Sequence, residues 1–139
     1  MTLLSHQMCT LYDPAVAIYE APAAQYNETP PFNPDTDYPE YPLAGYGHTG
    51  SENLAYRGVR ESLRLLGFDS ARFGTSAWNP LAEIIRPGET VLTKPNAVMH
   101  KNFKPGETVF AAITHGSVLR AVVDFVFKAL DGQGKIIIA

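Results

Sequence analysis

Val91-Leu-Thr-Lys-Pro-Asn96, Ile113-Thr-His-Gly-Ser117 and Lys135-Ile-Ile-Ile-Ala139 are the three stretches on which the fold of this chain turns. Short runs of apolar β-branched residues read as strands buried in a sheet. Between the second stretch and the third, Ser117 to Leu130 is apolar almost all round, through Val118, Leu119, Val122, Val123, Phe125, Val126, Phe127 and Leu130. A helix of that kind is buried on most sides. Its charges, Arg120, Asp124 and Lys128, recur every four residues and form one narrow polar stripe with local ion pairs. Asp131-Gly-Gln-Gly134 then turns the chain into the last strand. Strand, helix and strand in this order predict a βαβ unit crossing over right-handedly into a mostly parallel sheet, so the fold class is α/β with packed helices.

Working outward, Pro-Gly-Glu-Thr-Val occurs twice, at Pro87 to Val91 and at Pro105 to Val109. The short separation reads as one turn chemistry used twice, with a strand expected after each copy, at Thr90 to Thr93 and, partly irregular, at Thr108 to Ile113. Ser51 to Leu66 carries Tyr56, Val59, Leu63 and Leu66 on one face of an amphipathic helix that Gly67 stops, and Arg57, Arg60, Glu61 and Arg64 read as its solvated face. Asn79-Pro80 reads as an N-cap and first helical residue of a short helix through Ile85, with Trp78 as a hydrophobic staple and Arg86-Pro87-Gly88 as its end.

Towards the N-terminus, Val16 to Glu20 is a candidate first strand. Ala21 to Gly50 holds Pro22, Pro30, Pro31, Pro34, Pro39 and Pro42, which exclude a helix and predict an extended segment with a turn at Asn33-Pro34-Asp35. Tyr26, Phe32, Tyr38, Tyr41 and Tyr46 are expected to pack it onto the domain; the sharper reading is a lid or a partner-binding surface.

The 139 residues suffice for one domain. A buried-type strand at the very end predicts that residues 1–139 are the N-terminal, partial unit of a larger α/β domain, with an incomplete sheet edge open to a protein partner or to self-association. Eleven basic against fourteen acidic residues give a formal charge of -3 with no basic block, which argues against nucleic acid and anionic membrane as partners. The single cysteine, Cys9, excludes an internal disulfide or a cysteine-ligated cluster and reads as an inert thiol. With no charged and apolar leader at Met1 to Cys9 and no run of about 18 apolar residues, a cytoplasmic protein is expected, and Asn27-Glu-Thr29 reads as a chance glycosylation triplet.

Ligand chemistry in α/β proteins lies beyond the carboxyl ends of parallel strands. Lys94 and Asn96, stiffened by Pro95, are candidate ligand-binding residues there, and so are Thr114 and Gly116 at the start of the long helix, where exposed amides and the helix dipole favour an anion. Gly116 is read as allowing close approach of that ligand. His115 is the candidate acid or base, expected neutral beside a helix N-terminus. The alternative at this turn is capping alone, by Thr114 or Ser117, with His115 solvated. His100 and His115 lack the spacing of a helical metal pair, and His6 and His48 read as solvated. Ser117 is a poor nucleophile candidate, because residues two apart do not face each other on a helix. Gly132-Gln-Gly134 precedes a strand instead of following one, and Gly116-Ser117 lacks the rest of a P-loop, so no cofactor and no metal is assigned.

The chain resembles a bacterial family known as domain of unknown function 362. The resemblance rests on Glu89-Thr-Val-Leu-Thr-Lys-Pro-Asn96, Ile113-Thr-His-Gly-Ser-Val-Leu-Arg-Ala121 and Gly134-Lys-Ile-Ile-Ile-Ala139. Tyr38-Pro-Glu-Tyr-Pro42 and Phe73-Gly-Thr-Ser-Ala-Trp-Asn-Pro-Leu81 look like a longer subgroup of it. The resemblance implies an α/β fold, recurrence of the Lys-Pro-Asn and Thr-His motifs, and a last strand that runs on into an acidic residue and a further half-domain. It also implies a sugar or anionic metabolite as ligand, whereas the iron-sulfur modules of some relatives have no cysteines to hold them here. From residues and resemblance together, the expected function is binding of an anionic small molecule, with conversion left open; the alternative is a non-catalytic interaction module built on the Tyr/Pro-rich segment.

Overall fold

The computed structural model describes residues 15–23 and 25–139. Cys9, His6 and the leader reading fall outside these residues. Two α-helices, α1 (Leu54–Leu65) and α2 (Gly116–Leu130), accompany two parallel strands, β1 (Thr90–Thr93) and β2 (Lys135–Ile138). β1, α2 and β2 form the expected βαβ unit, in the register Val91 to Ile136 and Thr93 to Ile138. The result is a small mixed α/β fold.

The strands are paired because two glycine turns bring them together. Gly88 donates to the Gln133 carbonyl (3.1 Å) and Lys135 to that of Glu89 (3.0 Å). Gly134, at φ +108°, passes so close that a Cβ there would lie 2.2 Å from the Glu89 carbonyl oxygen. Only glycine has both the backbone freedom and the room.

α2 is the centre of the molecule. One face meets the sheet and the 81–85 turn, where Val126, Ala129 and Leu130 pack with Ile85, Val91 and Ile136. Its other face meets α1 and the Pro/Tyr-rich segment, where Ala121 packs with Tyr41 and Tyr56. Trp78, fully buried, and Phe125 join the two cores edge to face at 5.5 Å. The far face of the sheet is uncovered among the described residues, with Leu92 at 62% and Ile137 at 44% exposure.

Several expectations are corrected. Val16 to Glu20 forms no strand: Val16 and Ile18 are about four-fifths exposed, at 82% and 81%, and no strand among the described residues pairs with them. The two Pro-Gly-Glu-Thr-Val copies do share a turn, each with an i to i+3 bond of 3.2 Å (Glu89 to Arg86, Glu107 to Lys104) and a glycine at positive φ. Only the first meets a partner strand. The second, lacking one, coils into a 3-10 turn at Val109–Ala111 instead of the strand expected to Ile113. Pro80 to Ile84 is a run of turns in which bonds from Ala82, Ile84 and Ile85 mix i+3 and i+4 spacing, so no regular helix forms there.

The Pro/Tyr-rich segment is irregular, with a 3-10 turn at Ala44–Tyr46, and it is stitched to α1 by a fully buried N-cap, Asn53. The Asn53 side chain accepts from the Tyr56 amide (3.0 Å) and donates to the Phe32 and Asn33 carbonyls (3.1 and 2.9 Å). Arg60 is not on a solvated face. It is buried against Glu40, and the helix face that carries it is covered by the segment. The stripe on α2 is likewise covered: Asp124 is 2% exposed and takes both oxygens to Arg120 Nε at 2.9 Å, and Tyr56 donates its hydroxyl to it at 3.3 Å. Burial, then the neighbouring Asp124 carboxylate, pushes the Tyr56 hydroxyl pKa upward.

Candidate functional site

Leaving β1, the chain passes Lys94 and Pro95 and meets the residue before His115 through a reciprocal pair of bonds. Thr114 donates its amide to the Asn96 carbonyl (2.7 Å), and Asn96 donates its amide to Thr114 Oγ1 (2.9 Å). Two motifs 18 residues apart are thereby held side by side. The second of them does not end a strand, as its sequence led one to expect; it ends an irregular loop and opens α2. Because Thr114 Oγ1 is the acceptor in that bond, its hydroxyl proton is free to point elsewhere. Lys94 and Asn96 are exposed, and neither side chain bonds a described residue.

His115 is neither solvated nor a bystander to capping. It is the N-cap of α2, 4% exposed, with extended backbone (φ -67°, ψ 147°) and Nδ1 accepting from the Ser117 amide at 3.2 Å. The imidazole stacks on Tyr26 at 4.4 Å and meets the rings of Phe110 at 4.6 Å and Phe32 at 5.3 Å edge-on. This burial lowers its pKa below the ordinary histidine value. An Nδ1 that accepts leaves the proton of the neutral ring on Nε2.

Two further readings are corrected at this turn. Ser117 does face His115, with Oγ 2.8 Å from Nδ1, because the N-cap residue lies outside the helix and its side chain folds back over the first turn. Ser117 is nevertheless fully buried, so the pair closes the helix end without offering a nucleophile. Gly116 does not leave space for a ligand. The Phe32 ring fills it, with Cε2 2.8 Å from where a Cβ would stand. His100 is exposed, and His48 is 2.7 Å from Asp37. Among the described residues, no group of three or more His, Cys, Asp or Glu side chains is placed to hold a metal, and no helix is long and apolar enough to cross a membrane.

Beside this turn lies a groove of about 770 Å³ between residues 19–23 and 25–26, α1 and the 107–110 loop. Tyr26 and Phe110 form part of its lining and are the same rings that enclose His115. Their convergence was not legible in the sequence, because each ring sits in a loop with no periodicity to orient it.

No family model, no curated protein and no solved structure matches this chain. The resemblance to the domain of unknown function 362 family therefore gains no support from these comparisons.

Proposed function

We propose that the protein binds an anionic small molecule at the carboxyl end of β1, and that it holds this molecule rather than converts it. Lys94 supplies the positive charge, Asn96 an amide donor and Thr114 a hydroxyl donor. The observation that carries the reading is the reciprocal Asn96–Thr114 pair, which holds the Asn96 backbone and the Thr114 hydroxyl together just beyond the strand end that Lys94 follows. His115 enters as a positioning residue. Its Nδ1 is occupied by the helix cap and its ring is enclosed by Tyr26, Phe32 and Phe110, which argues against its serving as the acid or base of a reaction at Lys94.

The reading takes the protein as cytoplasmic. A docking role for the Pro/Tyr-rich segment has less to stand on, because Tyr38 and Tyr41 pack against Tyr56 and Tyr46 alone of those three is open, at 77% exposure. Isothermal titration with inorganic phosphate and with glucuronate tests the proposal. Saturable binding that Lys94→Ala weakens about tenfold supports it, as one charge-assisted hydrogen bond is worth roughly that. No binding of either anion, or binding indifferent to Lys94→Ala, overturns it.

A further inference from the structure

The groove between residues 19–23 and 25–26, α1 and the 107–110 loop is open, mostly apolar and of a size suited to a small organic molecule, at about 770 Å³. Small residues of α1, Ala55, Gly58 and Ser62, form its floor, and Gly58 lets Tyr19 approach to 3.5 Å of a would-be Cβ. Three aromatic rings, Tyr19, Tyr26 and Phe110, stand in its walls. Glu107 is the one charged side chain among the lining residues, and it forms no ion pair with any described residue. It closes the second Pro-Gly-Glu-Thr-Val turn, its amide bonded to the Lys104 carbonyl, and stands exposed just before the 3-10 turn at Val109–Ala111; the matching Glu89 instead turns its carboxylate back onto the Arg86 amide of its own turn.

We infer that this groove is a binding site for an aromatic or alkyl ammonium compound, its apolar body lying along α1 and its cationic head beside Glu107. Aromatic faces attract cations through their quadrupole, and a lone carboxylate adds a charge of the right sign. The neighbouring imidazole brings no opposing charge, since its enclosure by Tyr26, Phe32 and Phe110 keeps it neutral. The site is distinct from the anion position at Lys94 and selects the opposite sign.

Three probes of one size separate the contributions: 2-phenylethylammonium, 2-phenylethanol and 3-phenylpropionate. Titrated into the full chain and followed by amide chemical shifts, the cation is expected to bind tightest and the carboxylate weakest, with shifts at Tyr26, Val59 and Phe110. Glu107→Gln, an exposed change that leaves the packing intact, is expected to weaken the cation about fivefold and the alcohol less than about twofold. Equal binding of the three probes, no binding, cation binding unaffected by Glu107→Gln, or concentration-dependent shifts of the groove without any probe, which would mark a second copy as its occupant, would each overturn the inference.

Discussion

Arg60, midway along α1, forms a buried ion pair with Glu40 of the Pro/Tyr-rich segment, and the rings of Tyr38, Phe73 and Trp78 lie 4.5, 4.4 and 5.4 Å from its guanidinium carbon. The pair ties an irregular segment to a helix 20 residues later in the chain. Removing one partner strands the other charge in the interior, so Arg60→Ala is expected to lower unfolding stability by about 3–5 kcal/mol. Arg64→Ala removes a surface pair with Glu61 and a guanidinium contact with the Phe73 ring at 5.5 Å, and is expected to cost under about 1 kcal/mol. Urea unfolding of both variants makes the comparison; equal losses would mean that Arg60 is solvated after all.

Gly134→Ala is expected to be among the most damaging single substitutions in the chain. The new Cβ meets the backbone of Glu89 and Gly88, at 2.2 and 3.2 Å, and neither can move without separating β1 from β2. A loss of about 3 kcal/mol or more is expected, or failure to fold. Gly132→Ala, with nothing within 4 Å but φ at +71°, should cost about 1 kcal/mol for its backbone alone. Thermal melts of the two variants give the ratio.

Gly116→Ala sets helix propensity against packing. Alanine favours a helix by about 1 kcal/mol over glycine, yet its methyl would enter the Phe32 ring, which is itself held against His115. Overpacking is expected to win, with a net loss of about 1–2 kcal/mol. Pairing it with Phe32→Leu should cost less than the sum of the two single changes, and chemical denaturation of the three variants closes the cycle.

Protonation of His115 should destabilise the fold. Its folded pKa lies below the value of about 6.5 that the unfolded chain has. Between these two values the unfolded state binds more protons, so stability is fully present above about 6.5 and falls as pH drops through the folded pKa. His115→Asn retains an N-cap acceptor but does not titrate. The difference in stability between wild type and this variant is therefore expected to shrink on acidification below about pH 6.5. The NMR titration of the ring should give a midpoint below the ordinary histidine value; a midpoint at or above it would contradict the enclosure.

The elements that carry long, one-sided patterns were legible from the residues. α2 begins and ends within one residue of where its apolar run does, and β1 occupies Thr90–Thr93 as read. What was not legible depended on neighbours. Thr108 to Ile113 has the composition of a strand but no partner strand among the described residues, and Val16 to Glu20 fails for the same reason. Arg60 and Asp124 looked solvated or merely striped because helical spacing says which face a residue occupies, not what will cover that face. At the candidate site, Lys94, Asn96 and Thr114 were named from their place beside a strand end, and the Asn96–Thr114 contact does bring the two motifs together. The enclosure of His115 and the plugging of Gly116 were not foreseeable, because the rings responsible come from distant loops.

Whether an anion is held at the carboxyl end of β1 is tested by amide and side-chain NMR during titration with inorganic phosphate. Saturable shifts centred on Lys94, Asn96 and Thr114 are expected, with the Asn96 side-chain amide among the largest, and are expected to be lost in Lys94→Ala. Shifts that do not saturate, that are scattered over surface lysines such as Lys101 and Lys104, or that persist unchanged in Lys94→Ala would contradict anion binding there.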